Sequence, residues 1–313
     1  MARLAQAVRW LAIGLVFCLA ACGSVPPADN WLADGLPERV ELGAVPFHPQ
    51  QAYQCGPAAL TTVLGHAGKD RSSEQLKSEV YLPRRQGSLQ IELLAATRRA
   101  GLLPYVLAPD TGALLSEVAA GNPVLVLQDL GMPLLPRWHY AVVVGFDRPA
   151  ERIILRSGSE PRQVMTIAEF DRSWAKAGRW AFIAVAPERL PASATESRLV
   201  NTVIALEAVA PAAAGRAYGA ALERWPDNLP ARLGLGNSAY RQNDLALAEA
   251  AYRRATIDHP QAAIAWNNLA RTLHKIGRRS EALAAARQAV RLGGPWHDVY
   301  AATLASIEST KAH

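Results

Sequence analysis

The run Gln50-Gln51-Ala52-Tyr53-Gln54-Cys55-Gly56-Pro57 places a thiol at the mouth of an apolar segment, residues 58–64, whose pattern predicts a helix. Pro57 falls in the first turn, where its missing N–H costs nothing. A thiol at a helix N-terminus meets the positive end of the dipole and free backbone N–H groups, which favours the thiolate and so a nucleophile. A glutamine a few residues upstream, Gln50 or Gln51, can offer its side-chain amide to an oxyanion. Attack on a carbonyl is the chemistry such a cluster could perform.

A sulfur nucleophile needs an imidazole within hydrogen-bond reach, itself held by a third group. The chain offers His48, His66, His139, His259, His274, His297 and His313. His66 is eleven residues beyond Cys55 on the same predicted helix, about 16 Å away at 1.5 Å per residue. His48 sits between prolines, and the last four histidines belong to a different kind of sequence. His139 remains, opening the strand 140–146 after a loop that contains Pro133 and Pro136. Asp147 lies about 26 Å along that strand at 3.3 Å per residue, too far to orient the ring. A hairpin turning around 147–151 instead brings Ser157, Ser159 or Glu160 beside His139.

The elements that must position these residues read as helices at about 55–66, 73–80, 88–100 and 112–120. Strands are expected at 123–128, 140–146 and 152–156, with one more near 180–186. Helices precede strands, so the expected fold of residues 38–190 is α+β and not a doubly wound sheet.

Together these residues carry a resemblance. Gln-x4-Cys-Gly-Pro-Ala-Ala-Leu, Gly121-Asn122-Pro123-Val124-Leu125-Val126 and Trp138-His139-Tyr140-Ala141-Val142-Val143-Val144-Gly145-Phe146-Asp147 are similar to the papain-like bacteriocin-leader (double-glycine) cysteine peptidases. The resemblance spans roughly residues 43–188. It implies a papain-like fold in which Cys55 attacks a peptide carbonyl, His139 shuttles the proton and Gln50 stabilises the oxyanion. Gln50 stands one residue closer to the cysteine than is usual in that family, and Gln51 is nearer still. The family usually supplies an Asp followed by Pro as the third residue. Here the returning strand ends Leu155-Arg156-Ser157-Gly158, so Ser157 is the expected orienter, with Ser159 and Glu160 as alternatives.

Beyond a composition break at 187–197 the sequence turns alanine-rich. A shift of 34 residues overlays Leu235-Gly236 on Leu269-Ala270, Ala248 on Ala282, and Tyr218, Ala221 and Pro226 on Tyr252, Ala255 and Pro260. Trp266, Leu269, Ala270, Ala282 and Ala289 resemble the tetratricopeptide pattern. Units are expected at about 229–262 and 263–296, after a degenerate one and before a capping helix, which gives an all-α second domain. Such stacks bind proteins or peptides, so a protein partner is expected on 199–313, with 191–198 as a linker.

The N-terminus predicts export. Arg3 and Arg9 precede an apolar run, residues 10–21, too short to span a bilayer. Leu19-Ala20-Ala21-Cys22 resembles a bacterial lipobox, which implies lipid on Cys22, a signal over 1–22 and a tether over 23–37. Gly23 in place of an aspartate favours the outer membrane, facing the periplasm of a Gram-negative bacterium. Cys18 leaves with the signal and Cys22 carries lipid, so Cys55 is expected to be the only free thiol of the mature chain, with no partner for a disulfide. The net charge of +6 over 313 residues, with no basic stripe interleaved with aromatics, gives no reason to expect nucleic acid. No cofactor and no metal are expected. The sequence therefore reads as a lipid-anchored cysteine peptidase acting on an exported peptide or protein. Its rival is an inactive peptide-binding adaptor.

Overall fold

A computed structural model describes residues 35–50, 53–132 and 134–309, so the lipobox with Cys18 and Cys22, and also Gln51 and His313, lie outside the described residues. The first part of the chain is built on one antiparallel sheet. Its strands are β1 (Arg39–Glu41), β2 (Leu103–Val106), β3 (Val124–Asp129), β4 (Trp138–Asp147), β5 (Arg152–Ser157), β6 (Glu160–Thr166) and β7 (Ala181–Val185). They run in the order β2-β7-β3-β4-β5-β6, and β1 pairs with the far end of β4.

Alternation along β4 decides what lies on each face. Tyr140, Val142 and Val144 pack against α1 (Cys55–His66), α2 (Ser73–Val80) and α3 (Gln90–Arg99). Ala141, Val143 and, past a register shift near Gly145, Phe146 face the other core. There they meet α4 (Thr111–Ala119) and α5 (Ile167–Lys176). Gly145 is required where β1 crosses, because a Cβ there would stand 2.5 Å from the Val40 carbonyl oxygen. The fold class is therefore the expected α+β domain, with its sheet antiparallel. The short strands β1 and β2, the longer strand β6 and the helix α5 join the elements expected from the sequence.

Helices then follow in pairs: α6 (Glu196–Glu207) with α7 (Pro211–Arg224), α8 (Leu229–Arg241) with α9 (Leu245–Asp258), and α10 (Ala263–Lys275) with α11 (Arg279–Leu292). A last helix, α12 (His297–Ser309), covers the end. The composition break at 187–197 has no counterpart in the core. Leu199, Val203 and Leu206 of α6 and Tyr218 of α7 share one buried cluster with Tyr105, Leu114 and Val185. The connecting segment is fixed as well. The fully buried Glu117 accepts from Ser193 N (2.8 Å) and Ser193 Oγ (2.6 Å), and Tyr105 Oη donates to Ser193 O at 3.2 Å.

Candidate active site

Cys55 opens α1, with Gln54 as its N-cap and no side-chain cap. The N–H groups of the first turn are therefore left for the cysteine itself. The sulfur lies against the backbone N–H groups of Cys55 and Gly56 and accepts from that of Tyr140. Gly56 is needed for the close fit, since a Cβ there would stand 2.5 Å from Ser88 Oγ. Cys55 is only partly buried and free.

The N–H of Tyr140 is available because the sheet opens at this point. Pairing of β4 with β5 begins only at Val142↔Arg156, while β3 continues alongside β4 to Asp129↔Trp138. Tyr140 thus presents backbone groups to an edge with no strand on it. The thiol takes the N–H, and Gln50 Nε2 donates to the carbonyl oxygen at 3.2 Å. Gln50 is tied in place a second time, its own N–H donating to Gly158 O at 2.9 Å. One amide hydrogen of Gln50 is thereby spent, and the second remains for an oxyanion in the cleft that this side chain lines.

His139 precedes Tyr140 on the same strand, and its Nε2 lies 2.9 Å from Ser157 Oγ. Ser157 is buried at the end of β5, whereas Ser159 in the turn that follows and Glu160 at the start of β6 are exposed. Of the three candidate orienters, only Ser157 touches the ring. For Nδ1 to accept a proton from sulfur, Nε2 must carry hydrogen and donate to Ser157 Oγ. Asp129, on the neighbouring strand, holds the backbone N–H groups of Gly131 and Arg137, both at 2.8 Å.

Electrostatics depart from the thiolate expectation. Burial pushes the Cys55 thiol up from its ordinary value of 9.0, outweighing the three backbone N–H groups that favour the anion. Burial, and then the nearby positive charge of Arg137, holds His139 below its ordinary 6.5. Both shifts favour the neutral forms of the thiol and the imidazole that line this cleft. Such a pair can still act by general-base catalysis, with sulfur losing its proton to the ring as it attacks.

The cleft above the thiol has a volume of about 770 Å³ and is lined by Gln50, Cys55 and His139. Tyr53 and Trp138, from the two motifs, also line it, as do Arg85, Ser88 and Arg137, which no motif in the sequence singles out. Proximity of 85–90 to Cys55 depends on the path from α2 to α3, which no local pattern announces. Tyr53 carried one signal, its place two residues from the thiol, and it adopts a left-handed φ of 64°. His66 lies elsewhere, its Nε2 3.0 Å from Gly121 O, and His259 Nε2 lies 2.8 Å from Asp227 O.

Comparison with known proteins gives matches to both parts of the chain. Residues 43–182 match the Peptidase_C39 like family, and residues 205–257 and 233–295 match the tetratricopeptide repeat. A solved structure described as a C39-like peptidase from Bacillus anthracis aligns with 17% identity and a TM-score of 0.41. The alignment covers 48% of this chain and 98% of that one. No curated protein matches. Residues 43–182 are thus similar to the Peptidase_C39 like family, and the tetratricopeptide repeat matches follow them in the chain.

Proposed function

We propose that the protein is a cysteine peptidase that cleaves a peptide or amide bond in an exported peptide or protein. Cys55 Sγ attacks the carbonyl carbon and its proton passes to His139 Nδ1. The oxyanion takes the second amide hydrogen of Gln50, and His139 returns the proton to the leaving amine. Water then hydrolyses the thioester and frees Cys55. Ser157 orients the ring without taking charge. The observation that carries this reading is the shared use of Tyr140. Its N–H holds the sulfur and its carbonyl holds Gln50, on the strand that presents His139.

The test is labelling with an electrophilic peptide probe, read by mass. Wild-type protein should label at Cys55, and Cys55→Ser should abolish it. His139→Ala should slow it about 100-fold or more, the scale of a general base. Equal labelling of His139→Ala and wild type would refute the assignment. The adaptor reading rests on two features: a serine, not a carboxylate, backs His139, and burial pushes the thiol up from its ordinary value. Peptide binding by a protein that never labels would establish it.

Anchorage completes the proposal. Lipid on Cys22, outside the described residues, would hold the protein at the outer membrane on the periplasmic side, with the repeats receiving a protein partner or substrate. Cys22→Ser should move the protein from the membrane to the soluble fraction. Unchanged fractionation would count against lipidation.

A further inference from the structure

The cleft has two walls of different origin. One is the turn Pro83–Arg85 with the residues up to Gln90, and the other is the start of β4 with the residues before it. They meet at the floor, where Tyr140 Oη donates to Ser88 O at 3.1 Å. Each wall carries one arginine, Arg85 on the first and Arg137 on the second, and both are exposed. Among the described residues no aspartate or glutamate lines the cleft, and neither guanidinium is in an ion pair. Arg71, Arg99, Arg162 and Arg179, by contrast, all find carboxylates. Asp129, the acid next to Arg137, gives its oxygen to backbone N–H groups instead.

Charge is therefore unbalanced where the reaction needs balance. As Cys55 attacks, His139 becomes an imidazolium with the cationic Arg137 nearby and a neutral hydroxyl behind it. A positive group opposing a positive group in a partly desolvated cleft disfavours that state. Among the described residues no carboxylate lines the cleft itself, since Asp129 is engaged by the backbone N–H groups of Gly131 and Arg137, and a substrate can bring one.

We propose that the cleft selects acidic peptides, placing a carboxylate close to the scissile bond between Arg85 and Arg137, where it also supplies the negative charge that the protonated His139 lacks. This rests on the peptidase reading of Cys55 and His139 and names its substrate class. Guanidinium–carboxylate pairing is directional and frequently bidentate, so an amide isostere of the same shape should be a much poorer substrate. Because the carboxylate offsets charge that develops during attack, the preference should appear in kcat and not in KM alone.

The experiment uses internally quenched peptide sets, randomised except at one scanned position that holds Glu or its isostere Gln. Wild type should cleave the Glu member about 10-fold or more faster in kcat/KM at one or two positions next to the cut. Arg137→Gln and Arg85→Gln should each shrink that ratio, and the double variant should bring it near one. Arg137→Glu should favour Lys at the same position, and raised salt should weaken the wild-type preference. Cys55 alkylation by iodoacetamide serves as the control that these surface variants remain folded and reactive. Equal cleavage of Glu and Gln members at every position would overturn the proposal while leaving the peptidase reading intact. If no peptide is cleaved, the peptidase reading is what has failed. Protection of Cys55 from alkylation by the same peptide pairs then decides selectivity. Protection at lower concentration by the acidic member supports it, and equal or absent protection overturns it.

Discussion

A hydroxyl behind an imidazole positions the ring but leaves its charge alone, and this sets the pH behaviour of the site. His139 must be neutral to accept the thiol proton, and it is held below 6.5, so the acid limb of kcat/KM should lie below that value. Direct alkylation of Cys55 needs the anion, so it should keep rising with pH beyond the ordinary thiol value of 9.0. Ser157→Asp places a carboxylate on His139 and should raise the imidazole, moving the acid limb upward. It should also increase probe labelling at neutral pH by about 10-fold, which corresponds to about 1.4 kcal/mol in favour of the ion pair. An acid limb that stays in place in Ser157→Asp would show that Ser157 does not govern the ring. The sequence pattern placed the thiol at a helix start and the imidazole at a strand start, because both positions follow from local periodicity. The raised thiol depends on burial beneath distant segments, and its direction had no local signature.

Among the elements, α8 shows how tightly the repeats are specified. It lies between two tyrosines from neighbouring helices. A Cβ at Gly234 would stand 2.2 Å from the ring of Tyr218, and one at Gly236 would stand 2.5 Å from the ring of Tyr252. Neither ring is free to swing, because Tyr218 Oη donates to Glu207 Oε2 at 3.0 Å and Tyr252 Oη to Asn237 Oδ1 at 2.7 Å. Gly236→Ala gains about 0.8–1 kcal/mol of helix propensity. The clash should cost about 1–3 kcal/mol, so the net effect should be destabilising, read as a lower denaturation midpoint. A midpoint above wild type would mean that the helices separate without cost. The 34-residue spacing of the two tyrosines was legible, as were the helix pairs built on Trp266, Leu269 and Ala282. The need for glycine at 234 was not, because the overlay sets it against Asn268, whereas Gly236 overlays the small Ala270. Likewise β6 runs exposed from Glu160 and shows no clear alternation, so its pairing with β5 left no trace in the pattern.

In the molecule as a whole, the peptidase-like sheet and the first helical pair complete one another. Leu199, Val203 and Leu206 of α6 and Tyr218 and Ala221 of α7 are fully or almost fully buried. They cover the same core as Tyr105, Leu114 and Val185, and Glu117 with Ser193 fastens the chain between the two parts. Exposing a buried leucine, isoleucine or valine side chain costs about 1.5–3 kcal/mol. Stripping that face bare should therefore use up most of a domain stability of about 5–15 kcal/mol. A chain ending at Ser197 should aggregate or melt without a cooperative transition. A chain ending at Asn228 keeps α6 and α7 and should fold, labelling at Cys55 at the full-length rate. The two truncations are compared by thermal melting followed by circular dichroism and by the rate of probe labelling. If the chain ending at Ser197 melts cooperatively and labels like the full-length protein, the shared core is dispensable and the helical array is an independent module. If only the longer one does, α6 and α7 belong to the catalytic body, and a partner held on α8–α12 is fixed in position relative to the cleft at Cys55.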